Sequence, residues 1–494
     1  MGLLEPGRTC WRIEPADRVA FLIDTQSQFT AVAEALSKAR RTVLLIGWGF
    51  DPRTRLAPDG FEDGDEPDEI GHVLLALSRA RPDLDIRLLI WRSALPVAAS
   101  QEYFPHRARK WFEGTRVKFR LDDAAPFGAC HHQKALIIDD RLAFCGGGDF
   151  AIDRWDSTAH LDADSRRIDP DHAEHAPRHE ATMMVDGPAA KALGDLARER
   201  WRRSAGETLA PSAAPDADDP DPWPSYLRPD ITDAKVAIVR TEPAWGGRSA
   251  VEEWRKLTLD CIAGVQRTLY MENQYFTSPV VAEALARRLA EPDGPQIVLV
   301  STARSPSYFD QLTMDRTRSL VLRRLKAADA FGRFAAYCPR TVGGQPVIVH
   351  AKVTLVDDRM VRIGSCNLNN RSGGFDTECE LAIEAADAPS QAAIAQLRHR
   401  LIGHYIGRSA SDVEHAVARR GGLVAGIEAL RHGVRLTPLE PRPLGPLAGL
   451  IAAYHLGDPT CPGDSWKIFR RRRRLEAQVR AIADGVAPDR AIAP

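Results

Sequence analysis

The sequence predicts an α/β fold in which one succession of elements occurs twice. Three observations predict it. Helix-spaced and strand-like segments alternate from residue 29 onward, a second such succession starts near residue 251, and each succession carries one copy of the same His-x-Lys motif. In the first, residues 29–40 have helical spacing, and residues 42–48 have a buried-strand pattern ending in the loop Gly49-Phe50-Asp51-Pro52. Residues 72–80 then read as a helix and 86–91 as a strand. In the second, 251–265 reads as a helix, and 268–272 as a strand ending in Asn273-Gln274-Tyr275-Phe276. Residues 297–301 follow as a strand and 316–328 as a helix. Between the two, residues 204–229 shift to Ala, Pro and Asp, the composition of a linker. The expected organisation is an N-terminal unit over 1–210, a linker over 211–231, a C-terminal unit over 232–408, and an extension over 409–494.

Composition narrows the function classes. With 44% hydrophobic and 27% charged residues the chain reads as a soluble globular protein with a sizeable core. A formal net charge of −1 offers no global positive field for nucleic acid. The cysteines lack a C-x-x-C pair or regular spacing, which suits a reducing, cytoplasmic setting. No signal peptide is legible, and the longest apolar run, residues 447–454, is too short to span a bilayer. A lipid-active enzyme of this kind would reach the membrane from outside.

The chemistry concentrates in two segments, HHQKALIIDDRLAFCGGGDF from His131 and HAKVTLVDDRMVRIGSCNLN from His350. Both contain H-x-K-x-x-x-x-D-D-R followed by a glycine turn, at a constant offset of 218 residues. Each reads as a β-hairpin, with Asp-Asp-Arg as the turn. Residues two apart on a strand share a face, so His132 points with Lys134, and His350 with Lys352. The returning strands bring Gly146-Gly147-Gly148-Asp149 beside His132 and Gly364-Ser365-Cys366-Asn367 beside His350. Asp139 and Asp357 fall on the opposite face and read as turn and support residues. A duplicated structural hairpin would explain the glycines but not the matched His and Lys. Histidine supplies a nucleophile or an acid near neutral pH, and lysines clamp phosphate oxygens, so phosphodiester cleavage needs no metal or cofactor here.

At these residues the sequence resembles the phospholipase D superfamily, whose signature is H-x-K-x-x-x-x-D followed by a glycine-rich turn. The resemblance extends over most of residues 1–408 and includes Met271-Glu272-Asn273-Gln274-Tyr275-Phe276, Asp153-Arg154-Trp155-Asp156 and Asp376-Thr377-Glu378. These look more like the phosphatidylcholine-cleaving, transphosphatidylating branch than the small nucleases. The resemblance implies two α/β/α sandwich units about a pseudo-twofold axis, with one site between them. It implies a phosphohistidine on His132 and leaving-group protonation by His350, an assignment that spacing alone leaves reversible. It makes Glu378 a carboxylate that orients a motif histidine, with Glu180 as its equivalent in the first unit. Asn367, Gly147 and Ser365 are expected at the phosphate. Asp149 would repel phosphate, and is expected to bond lysine or backbone. His131 should pack rather than react. Trp155 either faces a choline cation or packs at the junction of the units. Trp466 to Phe469 and the arginines 470–474 form either a lipid-binding tail or a solvated helix face.

The leading expectation is a monomeric phospholipase D acting on phospholipid at a membrane surface, with water or a primary alcohol as acceptor and no nucleic-acid partner. A cardiolipin synthase-type phosphatidyltransferase is the next, although such enzymes commonly carry N-terminal membrane segments. A nuclease and a non-catalytic lipid-binding scaffold are the others. Intact His and Lys in both motifs weigh against the scaffold.

Overall fold

The computed structural model describes residues 2–58, 68–93, 105–431, 433, 435–487 and 490. Its frame is a single mixed sheet of sixteen strands that runs through both halves of the chain. At the centre two twelve-residue strands, Arg12–Ile23 and Ile231–Glu242, pair antiparallel. Outward on the N-terminal side lie Ala181–Asp186, Leu142–Gly146, Ala135–Ile138, Thr42–Gly47, Asp85–Trp91 and Lys118–Asp122. Outward on the other side lie Glu378–Glu384, Met360–Gly364, Val353–Val356, Thr268–Glu272, Gln296–Val300 and Phe334–Pro339. The order is thus the same when read away from the central pair in either direction. The α/β class expected from the sequence is the class adopted, and both halves share this sheet.

The inner strands are Val-, Ile- and Leu-rich runs buried on both faces, because helices cover the sheet on either side. Helix Gly187–Ala205 covers one face of the N-terminal half, with Leu193, Leu196 and Trp201 in the core, and Asp24–Lys38 covers the other with Phe29, Val32 and Leu36. Helices Glu253–Gly264 and Pro279–Ala290 play the second role in the C-terminal half.

Some element bounds differ from the sequence reading. The first helix begins at Asp24 rather than residue 29, through the polar run Asp24-Thr25-Gln26-Ser27, which lacks an apolar period. The helix expected over 316–328 begins at Tyr308, through a mixed run whose Tyr308 and Phe309 are exposed rather than part of a buried stripe. Val251–Glu252 add a short strand before their helix. Residues 207–230 form neither helix nor strand, yet they are fastened to the N-terminal half. Arg41 pairs with Asp216 and Asp219, Arg18 with Asp221, and Trp223 is buried in that half's core. After residue 408 come helices Ala410–Arg420, Leu423–Leu430, Pro446–Ala453 and Ile468–Ala483. Strand Leu436–Pro438 extends the sheet edge beside Phe334–Pro339. Leu475 and Ile482 of the last helix pack on Leu259 and Val280.

The Asp-Asp-Arg turns have a second task. Asp139 accepts the backbone N–H groups of Arg40, Arg41 and Thr42 at 2.7 Å each, and Asp357 those of Gln266, Arg267 and Thr268 at 3.1, 2.7 and 2.9 Å. Each carboxylate therefore ties its hairpin to the start of the neighbouring strand, with its own φ near +55° in a turn that aspartate tolerates. Asp139→Ala strands three donors, and should cost about 2–4 kcal/mol in denaturant unfolding. A cost below about 0.5 kcal/mol, the size of an ordinary surface change, would contradict this role.

Candidate active site

Neither His-x-Lys pair lies within a hairpin strand. The strands begin at Ala135 and Val353, one residue after each lysine. The sequence reading placed the pairs on the strands. They lie instead in extended segments that leave their own half's sheet to bond the opposite half. His132 donates its backbone N–H to Thr377 O at 2.9 Å, and Thr377 returns one to Cys130 O at 3.0 Å. His350 donates to His179 O at 2.9 Å, beside a short parallel pairing of Ile348–Val349 with Arg178–His179. Each lysine folds back so that its ammonium donates to the carbonyl of its own motif histidine: Lys134 Nζ to His132 O at 3.0 Å, and Lys352 Nζ to His350 O.

The crossing also sets the side chains. His132 Nδ1 is 2.8 Å from Glu378 Oε2, and His350 Nδ1 is 2.7 Å from Glu180 Oε1. Each motif histidine of one half thus faces the carboxylate of the other, and both carboxylates are 1% exposed.

The two pairs are built unequally. Ser365 Oγ and Ser372 Oγ each donate to Glu378 at 2.5 Å. The positions 218 residues earlier are Gly147 and Arg154, so Glu180 has no hydroxyl donor of this kind. A Cβ on Gly147 would come within 3.0 Å of His350 O and 3.2 Å of Glu180 Oε2 and Lys352 Cδ, so a side chain here would crowd the opposite motif. Glu180 instead sits in the field of Lys352, Arg178 and Arg154.

Burial and charge set the protonation states. Burial, then the charges of Lys134 and Lys352, hold His132 well below the ordinary histidine range. Burial, then Lys352, Arg178, Arg154 and Lys134, do the same to His350. Each histidine feels both lysines, so the four side chains occupy one electrostatic environment. Burial raises Glu378 to about 7 despite its serine donors, and raises Glu180 despite the surrounding cations. Burial lowers Lys352 to about 7 against the opposing pull of Glu180.

The sequence and the fold are similar to those of known proteins. The family model described as "Cardiolipin synthase, PLD-like domain" matches residues 258–401, which include the second motif and Glu378. Phospholipase D A of Dictyostelium discoideum is 21% identical over 432 residues, covering 75% of this chain and 33% of that protein. Phospholipase D2 of Bos taurus is 22% identical over 472 residues, with 75% and 50% covered. Cardiolipin synthase A of Pseudomonas putida is 26% identical over 380 residues, with 74% and 64% covered. These matches support a place in the phospholipase D superfamily. It spans a third to a half of the length of the two phospholipases D. Among solved structures, phosphatidylserine synthase of Haemophilus influenzae Rd KW20 shares the fold at a TM-score of 0.55 and 14% identity, covering 79% of this chain and 88% of that one.

Other residues singled out from the superfamily pattern have varied places. Asn367 is buried beside the second motif, and its side-chain Oδ1 has no partner among the described residues. Asp149 accepts the backbone N–H groups of Trp48 and Gly49 at 2.9 and 3.0 Å and lies 3.4 Å from Lys134 Nζ. Ser365 is fully buried, and its hydroxyl donates to Glu378. Trp155 packs, which is one of its two expected roles: it is 4% exposed in the N-terminal core, with Arg166 stacked on its ring at 4.6 Å. His131 is buried between Thr377 and Asp122.

Sequence reasoning missed Arg154 and Arg178 as neighbours of His350. Arg154 lies inside the quoted Asp153-Arg154-Trp155-Asp156 run and Arg178 two residues before Glu180, so both were visible but unassigned. It also missed a buried chain across the two halves: Asp24 Oδ1 to His179 Nδ1 at 2.7 Å, and His179 Nε2 to Glu272 Oε2 at 2.8 Å. No spacing links residues 24, 179 and 272.

These protonation states give a pH profile. Glu378 becomes neutral as pH falls through about 7, and Lys352 loses its charge as pH rises through about 7, so kcat/KM should be bell-shaped with both limbs near neutrality. Ser372→Ala removes a donor that favours the carboxylate anion. It should move the acid limb upward by about one unit, the worth of one such bond. An acid limb that stays in place in Ser372→Ala would contradict this reading of Glu378.

Proposed function

We propose that this chain is a phospholipase D, cleaving a glycerophospholipid to phosphatidate and a free headgroup alcohol through a phosphohistidine. The crossed histidine–carboxylate pairs, set in one cluster with two lysines, carry this reading. With Nδ1–H directed at Glu378, neutral His132 presents the lone pair of Nε2, the requirement for a nucleophile at neutral pH. Lys134 and Lys352 hold the non-bridging oxygens. A bound phosphodiester brings negative charge between the lysines, offsets the field that depresses His350, and lets His350 hold the proton it must deliver.

The Nε2 of His132 attacks phosphorus, the P–O bond to the headgroup breaks, and the proton of His350 goes to the leaving oxygen. Neutral His350 then takes a proton from water or a primary alcohol, whose oxygen attacks phosphorus and releases His132. Two displacements retain configuration at phosphorus. A second reading, in which the acceptor is a lipid alcohol and the chain is a phosphatidyltransferase, draws support from the cardiolipin synthase family model and the Pseudomonas relative.

The substrate would be met at a membrane surface. Among the described residues no helix is long and apolar enough to cross a membrane. Trp466 and Phe469 are 76% and 62% exposed, and Phe127, 80% exposed and five residues before His132, packs on Trp466 at 5.9 Å. Lys467, Arg470 and Arg473 are exposed beside them, whereas Arg471 of the same run is buried. An apolar rim flanked by cations suits an anionic bilayer.

Two predictions follow from this chemistry. His132→Ala and His350→Ala should each lower turnover by about 10⁴-fold or more, because nucleophile and acid act as a unit. In wild type, ethanol should divert product from phosphatidate to phosphatidylethanol. Hydrolysis with no transfer product, or inversion at a chiral phosphorus, would rule out the covalent route. Exclusive transfer with no phosphatidate would favour the transferase. Separately, Trp466→Ala/Phe469→Ala should weaken binding to anionic vesicles while sparing turnover of a soluble phosphodiester. Equal binding by variant and wild type would remove the tail from membrane contact.

A further inference from the structure

A second cluster of ligating side chains lies beside the site but outside its chemistry. Ligand atoms of Asp24, His160, His179 and His404 all lie within 4.8 Å of one another. Asp24 opens the first helix, and His160 stands in the loop after Asp153-Arg154-Trp155-Asp156. His404 comes from helix Ala388–Ile406 of the C-terminal half. Asp24 and His160 are 1% and 2% exposed.

We infer that Asp24, His160 and His404 form a structural binding site for a divalent transition metal, zinc by its donor set, which pins the two halves together. The geometry between His160 and Asp24 is the first reason. His160 Nδ1 lies 2.8 Å from Asp156 Oδ2, an acceptor, so Nδ1 carries a hydrogen and Nε2 is the atom left to meet a ligand. Nε2 faces Asp24 Oδ2 at 3.6 Å, and neither atom has a hydrogen-bond partner among the described residues. A buried carboxylate oxygen and a buried ring nitrogen facing each other without partners are costly, and a metal ion between them would satisfy both. The separation is too long for a hydrogen bond, but close to the edge of about 3.3 Å expected between two ligands of a tetrahedral zinc ion.

His404 is the second reason. One ring nitrogen is turned toward the carbonyl of Arg400, one turn earlier, and neither nitrogen makes an aligned hydrogen bond. Its ring packs at 5.4 Å from His160 and 4.8 Å from His179. Two imidazoles and one carboxylate are a donor set that zinc favours, and the His160–Asp156 pair is the carboxylate–histidine support such ligands usually have. His179, bonded on both nitrogens to Asp24 and Glu272, holds Asp24 from behind.

The site also bears on the crossed pairs. Asp24 Oδ1 accepts the backbone N–H of Glu180 at 3.1 Å, and Asp24 N donates to Glu180 O at 2.9 Å. A metal that fixes Asp24 therefore fixes the residue facing His350. This inference stands apart from the proposed lipid chemistry, and its test needs no substrate.

The full-length protein is purified, its metal content measured, and the chelator-stripped protein titrated with Co²⁺ and Zn²⁺. Expected are stoichiometric zinc, visible Co²⁺ absorption of tetrahedral intensity, and a melting temperature that falls on stripping and returns with Zn²⁺. His404→Ala should lose the Co²⁺ signal and weaken zinc affinity at least about 100-fold, beyond the usual effect of a supporting residue. His404→Cys should keep the metal and add a thiolate-to-Co²⁺ band in the near ultraviolet, which a purely structural histidine would not produce. Folded wild-type protein that carries no metal and takes up neither ion at micromolar concentration would overturn the proposal. So would His404→Ala binding Zn²⁺ as wild type does, or His404→Cys giving no thiolate band.

Discussion

The fold's chemistry depends on an exchange of partners between its halves. His132 lies against Glu378 and His350 against Glu180, so neither half carries a complete histidine–carboxylate pair. A carboxylate behind an imidazole selects its tautomer and steadies its cation. Here that support exists only when the central strands Arg12–Ile23 and Ile231–Glu242 are paired and the two halves share their sheet. The backbone exchange of Cys130 and His132 with Thr377, and of His350 with His179, guides each motif to the opposite carboxylate.

Burial makes this arrangement expensive and also useful. Two glutamates, two lysines and two histidines are withdrawn from water together, and in a low dielectric each alters the affinity of the others for protons. The halves meet the cost differently. Serine hydroxyls hold Glu378, whereas lysine and arginine charges surround Glu180. An imidazole backed by a hydrogen-bonded anion and one backed by an anion among cations are suited to different tasks. That difference supports the proposed division of nucleophile and acid between the halves.

Much of this was legible in the sequence, for identifiable reasons. The motif histidines and lysines stood out because duplication repeats their spacing, and the inner strands because their Val, Ile and Leu runs are continuous. The start of the first helix was hidden because Asp24-Thr25-Gln26-Ser27 serve polar contacts rather than an apolar stripe. Ser365 was read toward phosphate because its neighbours in the glycine turn face that way. Only the fold shows its hydroxyl donating to Glu378. Spacing could not choose between a choline contact and packing for Trp155, because only the fold brings Arg166 onto its face. The cluster of Asp24, His160 and His404 had no sequence signal, since its members are brought together only by the meeting of the two halves.

The central claim is the crossed pairing, and ring-nitrogen chemical shifts of histidine-labelled protein test it most directly. They report the tautomer and hydrogen bonding of each imidazole. The account predicts that Glu378→Gln perturbs the Nδ1 resonance of His132 and leaves His350 nearly unchanged, while Glu180→Gln does the reverse. A Glu378→Gln change that moves His350 instead, or moves neither histidine, would contradict it.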